Sequence, residues 1–208
     1  MEYSKEFKQA LSEFSPIEKD RLIFRLLKKD KLLSKKLYFE LIDPETTDQK
    51  RDQMEENVTE KVASAARYIG NPKYYLSTIR TISAEITEHV KVTTDKFGEI
   101  YLQLFLVKKI LENNDKLNQQ RFDSVYKLYI YLINKIVRAL LLIRKTDEDY
   151  WLEFDVLLSE IDFQIHQNIY LEKLCINNSF DFNWLKSENI PYHLDLIIKD
   201  LKSQGFLR

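Results

Sequence analysis

Along most of the chain, apolar residues recur at spacings of three and four, the period of an amphipathic helix. Ser15-Pro16-Ile17-Glu18 reads as a helix start: Ser15 is placed to cap, Pro16 suits the first helical position, and Glu18 completes a capping box. Phe14 precedes the cap and is placed to staple onto the first turn. Leu22, Ile23, Leu26 and Leu27 follow at helical spacing. Asp30 is placed to cap a second helix with Leu33, Leu37 and Leu41 on one face, and Asp43-Pro44 ends it. From about Thr47 a narrower seam runs through Met54, Val58, Val62, Ala65 and Ile69. Gly70 then stands where a left-handed C-terminal cap is expected, and Pro72 follows.

The next helix carries Leu76, Ile79, Ile82, Ile86 and Val90, weakens at the β-branched run Val90 to Thr94, and is recapped by Asp95. Phe97, Tyr101, Leu104, Lys108 and Leu111 continue the period as far as Asn113-Asn114. The longest predicted helix runs from about Leu117 to Lys145. It is apolar around most of its circumference and should be central. Thr146 is placed to cap a helix buried through Trp151, Phe154, Leu158, Ile161 and Ile165, with a break at Asn177-Asn178. A short segment around Trp184, a last helix from about Tyr192 to Ser203 and a final cap at Gly205 complete the pattern.

No segment alternates as a strand does. The fold class is therefore all-α: an antiparallel bundle of long helices with shorter N-terminal helices packed alongside. An irregular helix-pair solenoid is the alternative. One domain over 1–208 is expected, subdivided into short N-terminal helices (1–44), a long-helix bundle (45–178) and short C-terminal helices (179–208).

Composition agrees. Three glycines and four prolines in 208 residues are too few for a turn-rich β fold. The single cysteine, Cys175, forms no internal disulfide and suits a reducing, cytoplasmic setting. It lies among Leu171, Leu174 and Ile176 and reads as a buried, inert thiol. The N-terminus has no signal pattern, and the apolar run Val125 to Ile143 contains Lys127, Asn134, Lys135 and Arg138. A membrane partner is therefore not expected.

The glycine count excludes a P-loop and a dinucleotide-binding fingerprint. There is also no G-x-S-x-G elbow and no CxxC pair. Glu85 with His89, and Asp162 with His166, each set a carboxylate and an imidazole one turn apart at the edge of an apolar stripe. Facing one another, these four residues would be candidate metal ligands. The plainer alternative is that each carboxylate bonds its own histidine. His193, near a helix start, reads as structural or exposed. Glu56 with Glu60 and Asp149 with Glu153 similarly offer oxygen ligands for Mg²⁺ or another divalent metal. They define the enzymatic alternative, hydrolysis of a phosphate ester or pyrophosphate on facing helices. Acidic residues in a first helical turn, such as Asp147 to Asp149, are favourable without any metal.

Charge is segregated although it nearly cancels, at a net −1. Between Lys19 and Lys36 eight basic residues face two acidic ones, and between Glu40 and Glu60 eight acidic residues face two basic ones. Thr146 to Asp162 carries seven acids and no base. Arg25, Lys28, Lys29, Lys31, Lys35 and Lys36 surround the turn between the two basic helices and are the candidate partner-binding residues. The expected function is a non-catalytic protein-interaction or scaffold domain that binds a protein partner or itself through alternating basic and acidic helix faces, without a cofactor. Twelve tyrosines, three of them at Tyr126, Tyr129 and Tyr131, suit an interface as well as ordinary packing. Nucleic-acid binding through the lysine cluster is the third reading, although no reader motif accompanies it.

Overall fold

The computed structural model describes residues 3–208, and among them there is no strand. Eleven α-helices form the fold: α1 (Lys5–Ser12), α2 (Pro16–Lys29), α3 (Lys31–Leu41), α4 (Thr47–Ala65), α5 (Pro72–Thr93), α6 (Lys96–Leu111), α7 (Asn114–Leu117), α8 (Phe122–Ile143), α9 (Trp151–His166), α10 (Ile169–Asn177) and α11 (Leu194–Ser203). Four 3-10 turns punctuate them. The architecture is an all-α helical bundle. No described helix is long and apolar enough to cross a membrane.

Local chemistry sets the boundaries. Ser15 and Glu18 close the capping box ahead of α2, and Asp30 caps α3 through the amide of Leu33 at 2.9 Å. Thr46 with Gln49 forms a second capping box, at α4. Asp95 caps α6 directly after Thr94, whose φ of 56° turns the chain out of α5. Two caps differ from the sequence reading. Gly70 does not adopt a positive φ. Instead α4 tightens into a 3-10 turn at Ala66–Tyr68, and Asn71 caps α5 with Pro72 in its first turn. Thr146 does not cap forward either: its hydroxyl donates back to the Ile143 carbonyl, and Asp147 caps the next turn.

The expected seams are the buried ones. Met54, Val58, Val62 and Ala65 of α4 meet Ile79, Ile82 and Ile86 of α5 in one continuous core. The hub, however, is α6 rather than α8. Helix α6 packs against α4, α5, α8 and α9, and Leu102 through Val107 are buried without a break. Helix α8 buries a broad face but leaves Lys127 and Arg138 in solvent. It begins at Phe122, five residues after the expected start, because Asn114–Leu117 forms a separate turn of helix.

A second break, at Gln167–Asn168, has no glycine or proline to announce it. Asn168 is fully buried. Its amide donates to Asn114 Oδ1 (2.9 Å) and Tyr129 Oη (3.0 Å), and its carbonyl oxygen caps α10 at Leu171. One side chain thus starts α10 directly after α9 ends and ties that junction to α7 and α8.

Candidate functional site

The N-terminal helices differ in kind from the rest. No residue of α1, α2 or α3 is buried. Their apolar side chains are present but uncovered: Ile17 is 64% exposed, Phe24 63%, Leu26 52% and Leu41 77%. Half of the large apolar side chains left exposed among the described residues fall between Tyr3 and Ile42. On a helical projection of α2, Ile23, Leu26, Leu27 and Phe24 share one side and Arg21, Arg25, Lys28 and Lys29 the other. The segment is a basic amphipathic arm. Only α3 leans on the bundle, against α5, with Leu32, Leu37 and Phe39 partly buried.

Beneath that contact lies a groove of about 690 Å³ between α3, α4 and α5. Three of the sequence candidates meet there: Lys35, Glu85 and His89. Every formal charge in the groove is matched. Lys35 pairs with Glu88 at 2.5 Å, Lys61 with Glu85 at 2.6 Å, and Lys50 with Asp43 at 2.8 Å and also with Glu45. The Lys35 pair holds the arm to α5, the Lys50 pairs hold its connecting loop to α4, and the Lys61 pair joins α4 to α5 within the bundle. Glu85 therefore turns to Lys61 and not to His89, against the expectation of a local carboxylate–histidine bond. His89 Nε2 is buried without a partner, and burial is the main cause that lowers the histidine's pKa. The remaining arm candidates, Arg25, Lys28, Lys29 and Lys31, are exposed and make no ion pair among the described residues. Lys36 pairs within its own helix with Glu40, at 3.7 Å.

The other candidates lie elsewhere. Asp162 and His166 are on α9, where Glu172 Oε1 lies 2.6 Å from His166 Nδ1 and Asp162 3.5 Å from Nε2. The two carboxylate–histidine pairs do not meet, and no group of three or more acidic, histidine or cysteine side chains among the described residues is arranged to hold a metal ion. Glu56 and Glu60 face solvent on α4. Asp149 and Glu153 face solvent at the start of α9. Cys175 is fully buried, and that burial pushes its thiol up to about 12, an inert state.

No protein-family profile, no curated protein and no solved structure matches this chain.

Two surfaces went unnoticed in the sequence. The first is the outer side of α9. Leu152, Val156 and Phe163 are exposed there, at spacings that form a single stripe with Ser159. Its start is flanked by exposed Glu148, Asp149 and Glu153. The stripe is readable from the sequence, but Trp151, Phe154 and Leu158 make a stronger one that masks it. The second is a polar cluster in the contact of α5, α6 and α8. Lys135 Nζ donates to Ser83 Oγ and to Gln103 Oε1 (2.7 Å). Burial lowers this lysine to about 8, and the Arg138 charge adds to the effect. Nothing in the local sequence separates Lys135 from a surface lysine reaching outward.

Proposed function

We propose that this protein is a non-catalytic interaction module whose α1–α3 arm binds an acidic amphipathic helix, and that the helix it takes is α9 of a second copy. The observation that carries the reading is that the arm fully buries none of its apolar side chains within the chain and leaves Ile17, Ile23, Phe24 and Leu26 exposed. Burying one such side chain fully is worth about 1.5–3 kcal/mol, so the uncovered face holds most of its stabilisation in reserve for an encounter. The outer stripe of α9 supplies both complements on one surface: Leu152, Val156 and Phe163 for the arm's apolar side, and Glu148, Asp149 and Glu153 for Arg21, Arg25 and Lys28. Matched charge sets partner and orientation, while the apolar seam supplies affinity.

A charge-swap experiment tests this. Light scattering should find the wild type larger than a monomer. Arg21→Glu/Arg25→Glu/Lys28→Glu and Asp149→Lys/Glu153→Lys should each be monomeric alone and should associate when mixed. A monomeric wild type at its highest soluble concentration sinks self-association. So does a mixture that stays apart. Sedimentation of the wild type with anionic lipid vesicles, abolished by Phe24→Asp, would reassign the arm to a membrane surface and overturn the protein reading.

A further inference from the structure

On a different face, a second groove, of about 380 Å³, runs between α5 and α8 and is lined by Arg80, Lys127, Tyr131, Asn134 and Arg208. Its charged residues are all basic, and none makes an ion pair among the described residues. Two cations share the Tyr131 ring: the Arg80 guanidinium and the Lys135 ammonium each lie 5.5 Å from its centroid. Lys135 reaches inward to neutral oxygens only, on Ser83 and Gln103. The one carboxylate close by, Glu99, is engaged by Arg138 at 3.2 Å. Among the described side chains of this strip five cations therefore face one acid, and the main-chain carboxylate of Arg208 accepts from Tyr126 at the groove's edge.

A solvated lysine face would explain Lys127, whose ammonium is free to swing into water. It does not explain Arg80, packed over a ring, or Lys135, half-buried with both of its hydrogen bonds on neutral oxygens and its nearest carboxylate, Glu99, taken by Arg138. A buried ammonium held by neutral acceptors alone costs free energy that a nearby anion restores. The segment carrying Arg208 is held in place as well: Asn134 donates to the Leu207 carbonyl at 3.1 Å, Tyr126 to the main-chain carboxylate of Arg208 at 3.1 Å, and Asn178 accepts from the Leu207 amide at 2.6 Å. The volume falls in the range of small-ligand sites, roughly 300–1,000 Å³.

We infer that this groove binds a diphosphate group, with Arg80 and Lys127 as its direct contacts and Lys135 as the charge beneath it. A diphosphate fits better than a monocarboxylate because the positive charge is multiple and comes from two helices and the Arg208 segment. Forked guanidinium contact with phosphate oxygens is a favoured geometry. This site is independent of the arm and of its partner.

The probe is inorganic pyrophosphate, free of metal and at low salt, followed by calorimetry and by thermal melting of the full chain. The wild type should bind saturably and melt higher. Arg80→Ala/Lys127→Ala, at two exposed positions that leave the core intact, should weaken binding at least about tenfold, the loss of one charge-assisted contact. Raising the pH from 7 to 9 should weaken wild-type binding relative to Lys135→Met, because Lys135 sheds its proton near 8 while the probe's own ionisation affects both proteins alike. The groups around Lys135 are Arg80 and Ser83 on α5, Glu99 and Gln103 on α6, and Tyr131 and Arg138 on α8; burial and the Arg138 charge lower its pKa, and Glu99 opposes them. Absence of saturable binding, or equal binding by the double variant, overturns the inference. Orthophosphate bound as tightly as pyrophosphate reduces the ligand to a single phosphate and refutes the diphosphate form. A short oligonucleotide retained when pyrophosphate is not refutes it too.

Discussion

Helices α2 and α8 are both strongly amphipathic, and they have opposite fates. Helix α8 buries its apolar side from Val125 to Ile143. Helix α2 fully buries nothing, although Leu22, Ile23, Phe24, Leu26 and Leu27 would make an equally good core face; only Leu22 and Leu27 are even partly covered. Amphipathic periodicity thus reports that a helix has a face to cover and is silent about what covers it. In α8 the cover is α5, α6 and α10. In α2 only α3 is present, and the apolar side looks outward. Substitutions in the bundle should therefore change stability, and substitutions in the arm should change association.

The largest effect is expected at Asp95. Its side chain is 4% exposed, accepts from Arg51 Nε at 2.7 Å, and caps α6 through the Gly98 amide at 2.7 Å. The Arg51 guanidinium also stacks 4.8 Å from the Phe97 ring centroid, where α4, α6 and α9 converge. Asp95→Ala removes the cap and strands a half-buried cation, so chemical denaturation should show a loss of about 3 kcal/mol or more. Gly98→Ala probes the same junction, since a Cβ there would lie 2.1 Å from Asp95 Oδ2. The carboxylate would have to leave Arg51, and a loss of about 2 kcal/mol is expected.

Lys135 should give an effect of comparable size and opposite sign. Its folded-state pKa, lowered from 10.5 to about 8, means that the unfolded chain binds the proton more tightly. The charged lysine therefore costs stability fully below pH 8, and the cost is relieved as pH rises from about 8 towards 10.5. Lys135→Met leaves Ser83 and Gln103 bonded to each other at 3.1 Å. The variant should be more stable than wild type by about 1–2 kcal/mol at pH 7, with the gap closing by pH 10 in parallel urea titrations. A gap that widens with pH would show that Lys135 is not buried in charged form.

The sequence disclosed those features whose signal lies within one or two turns. Ser15 with Glu18, Asp30, Asp95, Asn113-Asn114 and Gly205 were legible because a cap is a local event. The core seams were legible because burial imposes a period. Gly70 and Thr146 are each competent to cap and neither does: α4 tightens into a 3-10 turn before Gly70, and Asp147 rather than Thr146 caps the turn that follows. Asn168 was invisible as a junction because its partners, Asn114 and Tyr129, are about 40 to 55 residues away in the chain. The candidate site divided similarly. The basic character of the arm could be read directly, whereas its lack of burial, the neutral surroundings of Lys135 and the turn of Glu85 towards Lys61 depend on helix neighbours that no single segment encodes.

Below these comes the latch between arm and bundle. Lys35 and Glu88 are both more than half exposed, so Lys35→Ala should cost no more than about 1 kcal/mol, an effect that salt should screen. A larger loss would mean that α3 is integral to the core rather than attached to it.

The smallest stability effect, and the sharpest separation of the two regions, belongs to Phe24. A charge placed at a buried apolar position of α8, such as Leu132, would unfold the bundle, because the carboxylate would be stranded away from water. Phe24 is 63% exposed, and Phe24→Asp leaves its new carboxylate hydrated in both folded and unfolded chains. The helix propensity of aspartate differs little from that of phenylalanine, so at a dilution where the wild type is monomeric the melting curve should move by less than about 0.5 kcal/mol equivalent. Association should nevertheless fall sharply, since any partner that covers the arm must now bury that charge. Unchanged association would show that the apolar side of α2 is not the contact surface. A marked loss of stability in the monomer would show that Phe24 is already covered within a single chain, and the distinction between arm and bundle would fail with it.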